Sequence, residues 1–186
     1  GPRGEAGGAT QGCARWPGSA RTWASAHARG DGRCARVPLS GGARVTWFVD
    51  TNVLAYAVAD GPRRPACLDL LHAVAAGDLP ATTNTLVIEE LWHLETRLTV
   101  PPGTARLAIE VFPYVVPVGD WVMLAALDRD MPSSVGTADR VHAATCRSER
   151  LDGIISADKG FDDIPGLVRV EPDAGGVSTL LAGRAG

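Results

Sequence analysis

Four acidic residues stand where a solvated surface would not put them: Asp50, Glu90, Asp139 and Asp158. Asp50 ends the apolar run Val45-Thr46-Trp47-Phe48-Val49 and is followed by Thr51 and Asn52. Asp158 repeats the pattern after Gly153-Ile154-Ile155-Ser156-Ala157. Each acid also has a plainer reading. Asp50 can cap the helix that follows it, Asp139 can sit in a first helical turn and interact with the helix dipole, and Glu90 can mark the rim of a buried stripe. If the four converge instead, a cation is required, because two carboxylates roughly 5 Å apart repel by about 3 kcal/mol at an effective dielectric near 20. Hard divalent ions such as Mg²⁺ or Mn²⁺ take oxygen ligands, keep some of their waters and bridge to phosphate. A site of that kind hydrolyses phosphodiesters, the metal positioning and acidifying water while a carboxylate takes its proton.

The elements that must position these groups follow from periodicity. The run ending at Asp50 reads as a buried parallel strand, whose carboxyl edge is where open α/β sheets bind ligands. Helices are expected from Val53, over Pro65 to Ala76 with Gly77 as its stop, over Thr85 to Leu98, Thr104 to Val111, Trp121 to Asp128 and Ala138 to Arg150. Short strands are expected at Pro80 to Thr83, Tyr114 to Val118, Gly153 to Ser156 and Leu167 to Val170. This alternation predicts an α/β fold with a central parallel sheet flanked by helices. In the helix from Thr85, Val87, Leu91, Leu94 and Leu98 form an i, i+4, i+7, i+11 stripe. Glu90 falls roughly 60° from that stripe and Glu89 nearly opposite, which sends Glu89 to the surface. Two strand-end acids project to one edge of the sheet if their strands are neighbours.

With 186 residues and 45% hydrophobic content, one folded unit is expected. Residues 1–44 are rich in Gly, Ala, Arg and Ser without helical or alternating period, and are expected to be a disordered extension upstream of a true start at Val45. A basic RNA-binding arm is the functional alternative for that segment. From Asp173 a flexible tail is expected, leaving residues 45–172 as the domain. Residues 1–44 carry a net charge of +5 and the remainder −8. The acidic part does not suit broad electrostatic binding of nucleic acid, so a metal must meet any phosphate. Cys13, Cys34, Cys67 and Cys146 are widely spaced and form neither a zinc pattern nor a disulfide framework. They fit a reducing cytoplasm. No window is long and apolar enough for a membrane span.

Four segments in order, Phe-Val-Asp-Thr-Asn-Val-Leu (48–54), Val-Ile-Glu-Glu-Leu (87–91), Thr-Ala-Asp-Arg-Val-His-Ala-Ala-Thr (137–145) and Ile-Ser-Ala-Asp-Lys-Gly-Phe (155–161), resemble the PIN-domain ribonucleases, particularly the VapC-like toxins. The resemblance covers about residues 46–172 and implies a PIN-like three-layer fold. It implies that Asp50, Glu90, Asp139 and Asp158 form the acidic quartet, with Asp50 and Asp139 as ligands of Mg²⁺ or Mn²⁺. Thr51 or Ser156 would add a polar contact and Asn52 would brace the first turn. The sequence departs from the family at Ser156-Ala157-Asp158, where Thr-x-Asp is commoner, and at Arg140, where Ala is commoner. The implied partners are an RNA substrate, a cognate antitoxin and a second copy in a homodimer. His142 reads as a packed or supporting residue, Asp162 and Asp163 as a solvated loop, and Trp47, Trp92 and Trp121 as core or interface. Two other functions compete. One is a PIN-like module that binds RNA or protein without cleaving. The other is a phosphatase of the haloacid dehalogenase type, which needs a second acid two residues after the nucleophile, where this chain has Asn52.

Overall fold

A computed structural model of the chain describes residues 46–128 and 131–182, so the expected N-terminal extension lies outside the described residues. Five strands, β1 (Trp47–Val49), β2 (Ala81–Asn84), β3 (Val115–Val116), β4 (Gly153–Ile155) and β5 (Arg169–Val170), form one sheet. The strand order is β3-β2-β1-β4-β5 and every pairing is parallel. The helices among the described residues are α1 (Thr51–Val58), α2 (Arg64–Ala76), α3 (Thr85–Thr96), α4 (Thr104–Val111), α5 (Asp120–Ala126), α6 (Thr137–Glu149) and α7 (Ala174–Ala182). This is the α/β architecture expected, a central parallel sheet flanked by helices.

The chain runs from β1 outward to β2 and β3, then returns across the sheet to place β4 on the other side of β1. Phe48 pairs with Thr82 on one side and Ile154 on the other. The order therefore reverses between β1 and β4, and in open parallel sheets the crevice at such a switch point is where ligands sit. The two strand-end acids of the sequence flank that crevice.

The central strands are short and dry: Phe48, Val49, Ile154 and Ile155 are fully buried. β2 is as buried but polar, reading Ala-Thr-Thr-Asn. Burying hydroxyls and an amide is tolerable only when each finds a partner. Thr82 Oγ1 donates to the Tyr114 carbonyl at 2.8 Å and Thr83 Oγ1 to the Val49 carbonyl at 2.9 Å. Asn84 accepts the Val87 N–H at 3.0 Å through Oδ1, so it caps α3 where the strand passes directly into the helix.

Two expectations are corrected. α3 stops at Thr96, and Leu98 takes φ +57° and is 82% exposed, so the buried stripe ends with Leu94. The turn toward Pro101-Pro102 redirects the chain before Leu98 can reach the core. The expected tail from Asp173 contains α7: Asp173 Oδ1 accepts the Gly176 N–H at 2.8 Å, and Val177 is buried in the core. Gly176 permits the close approach, since a Cβ there would lie 2.1 Å from the Glu171 carbonyl oxygen. The other differences are at element ends, as with β2, which covers Ala81–Asn84 rather than Pro80 to Thr83.

Candidate active site

Asp50 leaves the end of β1 and is only 5% exposed. Its two readings coexist: Oδ1 accepts the Thr51 N–H at 2.7 Å, capping α1, while the carboxylate also borders an open pocket of about 460 Å³. Oδ2 accepts from Ser156 Oγ at 2.6 Å, across from the end of β4, and from Asn52 Nδ2. Asn52 ties the two strand ends together, donating to Ser156 Oγ at 2.9 Å and accepting the Ala157 N–H at 3.1 Å. Burial holds the Asp50 carboxyl above the ordinary aspartate range, against the opposing influence of His142, the Ser156 hydroxyl and the Thr51 N–H.

Glu90 reaches the same pocket from α3. Thr51 Oγ1 donates to its Oε2, and His142 Nε2 lies 3.2 Å from that oxygen. Burial raises the Glu90 carboxyl, but the His142 and Thr51 contacts outweigh it and the net direction is down. Of the polar contacts expected from Thr51 or Ser156, the structure thus contains both, Thr51 on Glu90 and Ser156 on Asp50.

Asp139 lies in the first turn of α6 and Asp158 follows β4, and both line the pocket. Asp158 is shaped by its own turn: its N–H donates to Ser156 Oγ at 2.9 Å and its Oδ1 accepts the Gly160 N–H at 2.7 Å. The Asp139 carboxyl is raised, first by burial and then by the nearby Asp158 charge. Gly136 makes room for it, since a Cβ at that position would stand 2.8 Å from Asp139 Oδ2. All four sequence-predicted acids therefore meet at one pocket, which no Lys or Arg lines among the described residues.

That donor set suits a hard cation. As the side chains stand, no three acidic, histidine or cysteine side chains among the described residues are close enough to enclose an ion. Mg²⁺ does not need such a cage, because it retains several waters and uses one or two protein carboxylates. Two carboxyls raised by burial in an acid cluster that no Lys or Arg lines among the described residues are the electrostatic condition a divalent ion relieves.

His142, expected as a packed or supporting residue, is 1% exposed, with its ring 5.3 Å from that of Phe48. It also stands 3.8 Å from Asp50 Oδ1. Asn84, which the sequence did not single out, lies behind it. The available signal was the Asn immediately before an apolar-striped helix, which reads only as a cap. Glu89 is exposed as expected but also borders the pocket mouth. Arg140 turns away, its guanidinium donating to the Met131 carbonyl at 3.1 Å and the Asp128 carbonyl at 3.2 Å. Asp162 pairs with Arg169 at 2.8 Å rather than lining the pocket. Trp47 packs against the core, whereas Trp92 and Trp121 are 64% and 48% exposed and so are not core residues.

A family model described as the PIN domain matches residues 47–167. Ribonuclease VapC7 of Mycobacterium tuberculosis (strain ATCC 25618 / H37Rv) is 32% identical over 142 residues, spanning 73% of this chain and 98% of that relative. A crystal structure of VapC20 of Mycobacterium tuberculosis, described as a Sarcin-Ricin loop cleaving toxin, is similar at a TM-score of 0.46 and 20% identity, over 58% of this chain and 86% of that one.

Proposed function

The chain belongs to the PIN-domain family, and from that premise we propose that it is a VapC-like toxin, an endoribonuclease that hydrolyses RNA phosphodiester bonds with Mg²⁺ or Mn²⁺. The observation that carries the reading is the convergence of Asp50, Glu90, Asp139 and Asp158 on one pocket that no Lys or Arg lines among the described residues. Asp50 and Asp139 are the residues that would hold the ion. When bound, it would supply an activated water and charge stabilisation at the phosphate.

The chain's own residues do the rest. Thr51, Asn52 and Ser156 orient Asp50. Glu90 and Asp158 are the carboxylates available to take the proton of the attacking water. The first turns of α1 and α6 open beside Asp50 and Asp139, and their N-terminal partial charge favours an anionic substrate.

A cognate antitoxin and a second copy of the chain are the partners proposed. Trp121, Leu124 and Leu127 on and after α5, and Trp92 on α3, are large apolar side chains about half exposed or more, and such surfaces suit protein partners. No described helix is long and apolar enough to cross a membrane. Cys67 and Cys146 are free and buried, which supports the reducing cytoplasm as the proposed location. The phosphatase alternative loses its requirement, since the side chain two residues after Asp50 is an amide engaged with Asp50 and Ser156.

The test is RNA cleavage by the full chain with Mg²⁺ or Mn²⁺ against EDTA. Cleavage that needs the ion is expected. Intact RNA under both conditions would favour the non-cleaving binding module.

A further inference from the structure

From behind the acid pocket to its wall, Asn84, His142 and Glu90 form a line of polar contacts from the end of β2 through α6 to α3. Asn84 is fully buried and its amide cannot be turned over without loss. Oδ1 is committed to the Val87 N–H at 3.0 Å, which leaves Nδ2 facing Thr145 Oγ1 at 2.9 Å and His142 Nδ1 at 3.2 Å. Thr145 Oγ1 gives its own proton to the Val141 carbonyl at 2.8 Å, so toward Asn84 it acts as an acceptor. An amide NH₂ has only donors to offer, so the ring nitrogen it faces must be the acceptor. The imidazole proton then belongs on Nε2, the nitrogen 3.2 Å from Glu90 Oε2 and 3.8 Å from Asp50 Oδ1.

We propose that Asn84 and His142 are a positioning pair: Asn84 fixes the Nε2–H tautomer of His142, and that N–H, together with the Thr51 hydroxyl, orients the Glu90 carboxylate for the reaction. The opposite tautomer would set two donors against each other at Nδ1 and present a lone pair to Glu90. Asn84 does not line the pocket, and His142, which does, is only 1% exposed, so the pair is placed to act through Glu90. Which nitrogen carries the proton is a small local choice, yet it determines whether Glu90 has one fixed donor or two. Outer partners that orient functional carboxylates and imidazoles in this way typically matter by about 10–100-fold. The catalytic half of the proposal rests on the nuclease reading, whereas the tautomer half does not.

The test uses the full chain and two readouts. Nitrogen-15 NMR of the histidine rings, with His142 assigned by its disappearance in H142Q, reports which nitrogen is protonated. The expected result is a proton on Nε2 and a bare Nδ1 in the unsubstituted protein. N84D keeps an oxygen for the Val87 N–H but places an acceptor at Nδ1, and is expected to put a proton on Nδ1. In RNA cleavage N84D is expected to lose roughly 10–100-fold in kcat with KM little changed. H142Q, whose amide carries a donor near the position of Nε2, should retain more turnover than H142N, which mimics Nδ1 instead. Thermal melting of each variant separates these effects from loss of fold. An Nδ1–H tautomer in the unsubstituted protein, or a folded N84D with unaltered kcat, would overturn the proposal. Equal losses in folded H142Q and H142N would overturn it as well. Absence of RNA cleavage by the unsubstituted protein would overturn the nuclease reading and the catalytic half with it, while the spectrum still decides the tautomer.

Discussion

Ser156 Oγ donates a 2.6 Å hydrogen bond to Asp50 Oδ2, joining the carboxyl ends of two neighbouring parallel strands. The same hydroxyl oxygen accepts from Asn52 Nδ2 and the Asp158 N–H, each at 2.9 Å, so three pocket residues take their positions from one atom. Ser156→Ala removes the bond to the buried Asp50 carboxylate, the acceptor of the Asp158 N–H and one of the two acceptors of the Asn52 amide. Weakening the hydrogen bonding of a buried polar group such as the Asp50 carboxylate costs about 1–3 kcal/mol. We expect a destabilisation of that size in denaturant unfolding, together with slower RNA cleavage.

Asp139→Asn tests the electrostatics of the metal-free pocket. The Asp139 carboxyl is held above its ordinary range by burial and by Asp158. The folded protein therefore binds that proton more tightly than the unfolded chain, and stability falls as pH rises from the ordinary aspartate range through the raised value. Above that window the substitution should raise the melting temperature in EDTA, and below it the gain should disappear. Melting curves across pH give the answer. Saturating Mg²⁺ should narrow the difference by stabilising the unsubstituted protein.

Gly136→Ala separates site geometry from stability. Gly136 has φ −59°, which alanine accepts, but the added Cβ would stand 2.8 Å from Asp139 Oδ2. The carboxylate must swing away while the fold stays in place. The expected outcome is an unchanged melting temperature in Mg²⁺-free buffer within a few degrees, with reduced metal affinity in calorimetric titration.

A chain ending at residue 172 tests α7. Val177 is 4% exposed and packed in the core, and burying a valine side chain is worth about 1.5–3 kcal/mol. We expect the shortened chain to unfold at a lower denaturant concentration, with its unfolding free energy reduced by at least that much.

Much of this arrangement was legible in the sequence because strand-end acids leave a clear mark: an apolar run, then a carboxylate. Asp50 and Asp158 read that way, and the alternation of elements implies a parallel sheet, whereas the pairing of β1 with β4 is visible only in the structure. β2 was legible only in part, since Ala-Thr-Thr-Asn lacks the apolar pattern of a buried strand and is stabilised by partners far away in sequence. α7 was hidden by Gly175 and Gly176, which weaken helix propensity, although one of them is what lets the helix pack close. Glu89 was placed correctly on the surface, but a helical wheel does not show that this surface borders a pocket mouth. The ring of His142 fits an apolar helix face, and its link to Asn84 joins residues 58 positions apart.

The central claim is that carboxylates at this pocket cleave RNA through a bound divalent ion, and Asp50→Asn addresses it most directly. The measurement is the RNA cleavage rate of the full-length variant in Mg²⁺, beside the unsubstituted protein and Glu149→Gln, an exposed change at the far end of α6. Asp50→Asn should lower the rate by at least about 100-fold, the upper end of what loss of an outer partner of a metal ligand costs. Glu149→Gln should match the unsubstituted protein, and EDTA should abolish cleavage by both. An Asp50→Asn protein that cleaves at the unsubstituted rate, or cleavage that proceeds equally in EDTA, would contradict the account.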